Sequence, residues 1–252
     1  MTAGCCGRTS STRTAGAIAV AREHQLIVIS DEIYGELHHA GEHRSIAEFY
    51  PEGTILSSGL SKWCGAGGWR LGTFLFPPQL RWLRDAMTAV ASETYTTTSA
   101  PIQCAAVTAF ACGPEIDAYL VGARQILRAL GTWSSERLTA AGALCHRPEG
   151  GFYLFPDFHG QAARLRERGI HNGEALCEHL LADTGVAILP GSDFGRPCGD
   201  WTARLAYVDF EGELALAERA REPGAALDET WLRRMTPRVT TAIDRMCEWL
   251  DG

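Results

Sequence analysis

Lysine is almost missing from this chain. Of 23 basic residues among 252, 22 are Arg and one, Lys62, is Lys. A general preference for Arg accounts for the ratio but not for the position of the exception. Other absences exclude whole classes. No apolar run approaches the roughly 18 residues that span a bilayer, so no membrane partner is expected. Nor is there an excess of positive charge. The formal net charge is −7 and the pI about 5.6, which removes nucleic acid from the expected partners. The nine Cys are odd in number, scattered, and never spaced C-x-x-C. That pattern excludes a disulfide framework or a zinc ribbon and predicts reduced thiols in a cytoplasmic protein. No repeat or low-complexity segment occurs. Arg8, Arg13 and Arg22, with no acid in the first 22 residues, match the composition of an organellar transit peptide. The later part of that stretch nevertheless reads as folded helix.

What is present describes a globular α/β protein, 46% apolar and 21% charged. Residues 16–24, GAIAVAREH, suit a short helix that leads into the apolar run Leu26-Ile27-Val28-Ile29 and then Ser30-Asp31. Such a run predicts a strand buried on both faces, as in a parallel sheet. Further strands are expected at residues 54–58 and 72–76, the latter stopped by Pro77-Pro78. About 22 residues between the first two strands leave room for a crossover. Helical spacing follows at Leu80, Leu83, Met87 and Val90, and again at Ile102, Ala105, Ala106 and Ala109. A third helix begins near Glu115, although Gly122 and Gly131 count against its continuity. Beyond Gly150-Gly151, strands at 152–155, 186–189 and 203–208 alternate with a helix at 174–182. The final helix places Val239, Ile243, Met246 and Leu250 on one face.

Ligands of open α/β sheets gather at the carboxyl ends of the strands. Two such ends carry complementary groups here: Asp31 with Tyr34, and Lys62. Lys62 sits in a Gly-rich loop, residues 59–72, that also holds Arg70. Its glycines permit the close backbone approach that a wrapped anion requires. The loop is not a dinucleotide fingerprint, since Arg70 stands where the last Gly belongs, nor a G-x-x-x-x-G-K-[ST] phosphate loop. Histidines 38, 39 and 43 lie among Glu36 and Glu42, but adjacent residues of a strand point to opposite faces, which argues against a metal site.

The segment from Gly59 through Lys62 and Arg70 to Gly72 resembles the cofactor-lysine signature of the class I/II aminotransferases, pyridoxal-phosphate enzymes of fold type I. Residues 28–34, VISDEIY, are similar to that family's strand bearing the pyridine-binding Asp and a nearby Tyr. Residues 149–155, 185–195 and 203–207 look like the landmarks of its small domain, and the resemblance covers about residues 15–252. It implies a partial large cofactor-binding domain over 1–130, mainly parallel sheet with helices, ending in a connecting helix. A C-terminal α+β small domain over 131–252 completes the expectation.

The resemblance also implies roles. Lys62 is expected to form the Schiff base with pyridoxal 5'-phosphate and to move the proton at the amino acid's Cα. An ordinary Lys amine is neutral in roughly one molecule in 2,500 at pH 7, and Arg would be about three decades worse. Lys62 is therefore a position where the chain's Arg habit cannot hold. Asp31 is expected to pair with the pyridine nitrogen, Tyr34 with the ring oxygen, Arg70 with the phosphate, and Arg204 with the substrate α-carboxylate. Thr96, Thr97 and Thr98 are candidates to reach a neighbouring subunit's phosphate. The implied reaction is a ping-pong transfer of an amino group between an amino acid and a 2-oxo acid. A fold-type-I lyase or synthase, or a non-catalytic fragment or regulator-type cofactor-binding module, uses the same cofactor residues.

Members of that family are substantially longer. An Asn in an N-P-x-G-like turn is expected shortly before the helix preceding Asp31, yet residues 1–8, MTAGCCGR, contain neither Asn nor Pro. An N-terminally truncated form is therefore expected, with unpaired sheet edge, and a homodimer when full length.

Overall fold

The computed structural model describes residues 11–95 and 97–252, and the chain divides into two units at Val121 and Gly122. In the first unit, α1 (Ser11–Glu23) ends where Gln25 takes a φ of 50° and the Leu26 amide donates to the Ala21 carbonyl at 2.8 Å. That turn feeds β1 (Val28–Asp31), which pairs in parallel with β2 (Thr54–Gly59), Asp31 opposite Ser57. β2 in turn pairs antiparallel with β3 (Gly72–Leu75), Gly59 opposite Gly72. The strand order is thus β1-β2-β3, with one parallel and one antiparallel pair.

The connection from β1 to β2 contains three single 3-10 turns, at Gly35–Leu37, Ile46–Glu48 and Pro51–Gly53, and no α-helix. Ser45 and Glu48 form a reciprocal capping box on the second of these. Tyr50 packs with Ile18 and Ala21 of α1, and Val28 and Ile46 close over that cluster. The apolar runs predicted strands buried on both faces. β2 comes nearest to this, but Ile29 of β1 is 65% exposed and every residue of β3 is exposed. Both are edge strands, and apolar composition alone does not reveal which strands have covered faces. α2 (Arg81–Thr94) and α3 (Ala100–Phe110) follow. α2 has the helical form its apolar spacing predicted, and buries none of its residues.

α4 (Pro114–Ala140) runs unbroken through Gly122 and Gly131 and carries the chain across the unit boundary. In the second unit, β4 (Tyr153–Leu154), α5 (Ala162–Glu167), α6 (Gly173–Thr184), β5 (Leu189–Pro190) and β6 (Ala203–Ala206) are followed by α7 (Gly212–Arg221), α8 (Glu229–Met235) and α9 (Pro237–Asp251). β6 is the centre of an antiparallel sheet in the order β4-β6-β5. The strand expected at 186–189 is reduced to the pair Leu189–Pro190, because only those residues meet β6, opposite Arg204 and Ala203. Asn172 caps α6 and Asp228 caps α8, each accepting a backbone amide of the first turn. α9 buries Val239, Ile243, Met246 and Leu250, the face its spacing predicted. Asp244 ties three helices by accepting from Arg137 of α4 at 2.9 Å and Arg233 of α8 at 2.6 Å. Among the described residues, no single helix is long and apolar enough to cross a membrane.

Gly131 explains why a glycine is kept inside α4. A Cβ there would lie 2.6 Å from the Tyr207 hydroxyl and 2.6 Å from the Pro148 ring, and Tyr207 is fully buried with no room to move. Ala is normally the better helix residue by about 1 kcal/mol. Here overpacking outweighs propensity, and Gly131→Ala is expected to destabilise the chain by about 1–3 kcal/mol. Urea unfolding against the parent checks this; an unchanged or higher midpoint contradicts it.

Candidate active site

The parallel register of β1 and β2 sends both carboxyl ends to the same edge of the sheet. Asp31 is the last residue of β1, and its Oδ1 accepts from the Ile33 amide at 3.3 Å, starting the turn that delivers Tyr34. The Glu32 amide donates to the Ser57 carbonyl at 2.8 Å and extends the ladder one step past Asp31. Two residues beyond Ser57, β2 ends at Gly59 and the Lys62 loop begins. The Lys62 ammonium lies over the Tyr34 ring, 5.9 Å from its centroid.

The loop is closed at its base. Gly59 faces Gly72, and a Cβ at Gly59 would sit 2.6 Å from the Leu71 carbonyl oxygen, so the two limbs approach at a distance that only glycine allows. The Leu60 amide donates to Leu71 at 3.2 Å, the Gly65 amide to Lys62 at 3.2 Å, and the Ala66 amide to Leu60 at 3.1 Å. Trp63, 3% exposed, anchors the loop by an edge contact with Phe110, ring centroids 5.8 Å apart. At the far limb Arg70 adopts φ 56°, ψ 44°, a left-handed backbone that costs a non-glycine residue about 1–2 kcal/mol. Its side chain is exposed and donates to the Gly67 carbonyl at 2.8 Å.

Arg204 belongs to the second unit, on β6 opposite Leu189. Its guanidinium lies over two rings, 4.6 Å from Tyr153 and 4.1 Å from Phe194. No acidic side chain among the described residues forms an ion pair with it. Aromatic faces can hold a guanidinium without neutralising it, which leaves the planar edge able to donate to an anion.

Spacing alone missed Glu32, which lies between Asp31 and Tyr34 in the chain. Glu32 accepts from Ser45 at 2.6 Å, from Ser30 at 2.9 Å, and meets His43 Nε2 at 2.9 Å. The [ST]-x-x-[DE] signature of Ser45 and Glu48 was a visible clue to that turn. None of His38, His39 and His43 lies on a strand: His39 is in a turn, His38 in an isolated bridge and His43 in irregular chain, and no cluster of metal-ligating side chains occurs among the described residues. Thr98 donates to the Arg70 carbonyl at 3.3 Å. Thr96, residues 1–8 with Cys5 and Cys6, and the Arg13 side chain lie outside the described residues. The seven cysteines that are described are free thiols, and burial pushes Cys145 and Cys177 up to about 12.

The profile of the family "Aminotransferase class I and II" matches residues 6–207. The chain belongs to that family. Class I and II aminotransferases work with pyridoxal 5'-phosphate. Similar proteins include a putative aminotransferase of Bacillus subtilis, 36% identical over 190 residues, which are 75% of this chain and 45% of that protein. The aspartate/prephenate aminotransferase of Thermus thermophilus is 32% identical over 209 residues, 82% of this chain and 50% of that protein. Among solved structures, the aromatic aminotransferase of Pyrococcus horikoshii superposes with a TM-score of 0.72 at 26% identity, over 96% of this chain and 56% of that one. The chain spans about half the length of the curated relatives it matches. The expected fold, a partial fold-type-I large domain with an α+β small domain, agrees with these structures.

The Glu32 brace carries a pH signature. Burial pushes its carboxyl up, but the hydrogen bonds from Ser45, His43 and Ser30 outweigh burial, and the net shift is below the ordinary value. A depressed carboxylate contributes stability that is present above the ordinary Glu value near 4.3 and lost as pH falls through the lowered folded value. Glu32→Gln is therefore expected to be less stable than the parent at pH 7, with the gap closing toward about pH 3. Urea titrations of both proteins across that range check it; a gap independent of pH contradicts the role of the charge.

Proposed function

We propose that this chain carries the cofactor lysine of a pyridoxal-phosphate-dependent aminotransferase. Its reaction is a ping-pong transfer of an amino group between an amino acid and a 2-oxo acid. The observation that carries this reading is the convergence, in one unit, of an amine, a carboxylate, a phenol and a guanidinium at the carboxyl ends of β1 and β2 and in the loop they support. That donor set fits the group. Lys62 would hold it at its aldehyde carbon, Asp31 at its ring nitrogen, Tyr34 at its ring oxygen, and Arg70 at its phosphate by charge-assisted hydrogen bonds. When bound, the cofactor supplies the electron sink for the carbanion at the amino acid's Cα.

The remaining work falls to the chain. Lys62 Nζ takes and returns the proton at the substrate's Cα, a role for which an amine can cycle between its two protonation states and a guanidinium cannot. The nearby Tyr34 ring holds the ammonium in place while it is charged. Arg204 binds the α-carboxylate as a planar fork. Reduced, scattered thiols support a cytoplasmic setting, and a homodimer is the proposed assembly of the complete enzyme.

Adding pyridoxal 5'-phosphate, reducing with borohydride and mapping the peptides by mass tests the reading. The adduct is expected on Lys62 and absent from Lys62→Arg; capture elsewhere, or undiminished in Lys62→Arg, overturns it. Arg204 has its own test. Arg204→Lys is expected to raise KM for amino and 2-oxo acids about 10- to 100-fold, the loss of one charge-assisted fork, while cofactor capture stays unchanged. Steady-state kinetics of the complete enzyme beside a cofactor titration separates the two effects.

A further inference from the structure

We infer that α3 is a splint that sets the cofactor residues of the Lys62 loop at both ends, with Thr98 and Gln103 as positioning residues for Arg70. This inference rests on the reading of Arg70 as the phosphate anchor. The left-handed backbone of Arg70 is unfavourable for an arginine and persists only where neighbours hold it. The Thr98 hydroxyl supplies one such hold, donating to the Arg70 carbonyl at 3.3 Å across 28 residues of sequence. Thr98 is itself pinned: the Gln103 amide donates to the Thr98 carbonyl at 2.6 Å and to the Thr97 hydroxyl at 3.2 Å. Gln103 stands near the start of α3, and its own backbone amide is fixed to Ser99 at 3.1 Å.

The other end of the same helix reaches the other functional group. Phe110, the last residue of α3, meets Trp63 edge-on, and Trp63 is the buried neighbour of Lys62. Gln103 and Phe110 stand seven helical steps apart, a rise of about 10 Å. A rigid rod with Arg70 braced at one end and the lysine turn at the other fixes how far the amine stands from the guanidinium. A cofactor held covalently at its aldehyde and ionically at its phosphate requires that spacing, and a cofactor without the phosphate does not.

That difference provides the test. Pyridoxal 5'-phosphate and pyridoxal, which lacks the phosphate, are titrated by absorbance into the 252-residue chain and its variants, with circular dichroism to verify folding. Thr98→Val and Gln103→Leu are expected to weaken the phosphorylated ligand about threefold to tenfold, the worth of one hydrogen bond. Pyridoxal binding stays unchanged, and Thr98→Ser, which keeps the hydroxyl, restores the parent affinity. Phe110→Leu, at the amine end, weakens both ligands alike. Equal losses for both ligands in Thr98→Val, or no loss at all, overturn the splint while the parent still prefers the phosphorylated form. A parent chain that shows no such preference overturns the reading of Arg70 and the splint together.

Discussion

Gly59 opposite Gly72 is the contact on which the first unit's candidate site depends. The antiparallel pairing brings the two limbs of the 59–72 loop so close that no side chain fits at Gly59. Everything between those limbs is thereby held at one end of the sheet. The parallel pairing of β1 with β2 then brings Asp31 and the Tyr34 turn to the same end. Two pairings of opposite sense, sharing one central strand, are enough to gather an acid, a phenol, an amine and a guanidinium.

The second unit solves a different problem. It presents one cation, Arg204, from the centre of a short antiparallel sheet, and surrounds it with aromatic rings instead of acids. Elsewhere in that unit arginines are spent on ion pairs: Arg137 and Arg233 share Asp244, and Arg238 bridges to Asp209 and Glu211. Exposed pairs of that kind are worth little individually. Arg204, held over aromatic rings, shares its N–H donors with no carboxylate among the described residues, whereas Arg238 divides its own between two.

Much of this was legible in the sequence, for identifiable reasons. Apolar runs located β1, β2, β3 and β6 to within two residues, and a helical period located the buried face of α9. The singular position of Lys62 among 22 Arg pointed to the loop before any geometry was known. What stayed hidden were contacts between residues far apart in the chain. Glu32 with His43 and Ser45, and Thr98 with Arg70, join ordinary polar residues whose spacing carries no period. The exposure of β3 was equally invisible, because an apolar strand reads the same whether or not its faces are covered. Gly131 was misleading in the opposite direction. It read as a weak point of α4, whereas it is the place where Tyr207 packs directly on the helix.

The left-handed Arg70 has an evolutionary and practical corollary. Glycine or asparagine would relax that backbone, and neither carries a guanidinium. A search for heat-resistant variants scored by folding alone would therefore reward exchange at this position. Thermostability and charge pull against each other here, and a library screened for folding alone would drift toward well-folded chains that lack the Arg70 guanidinium.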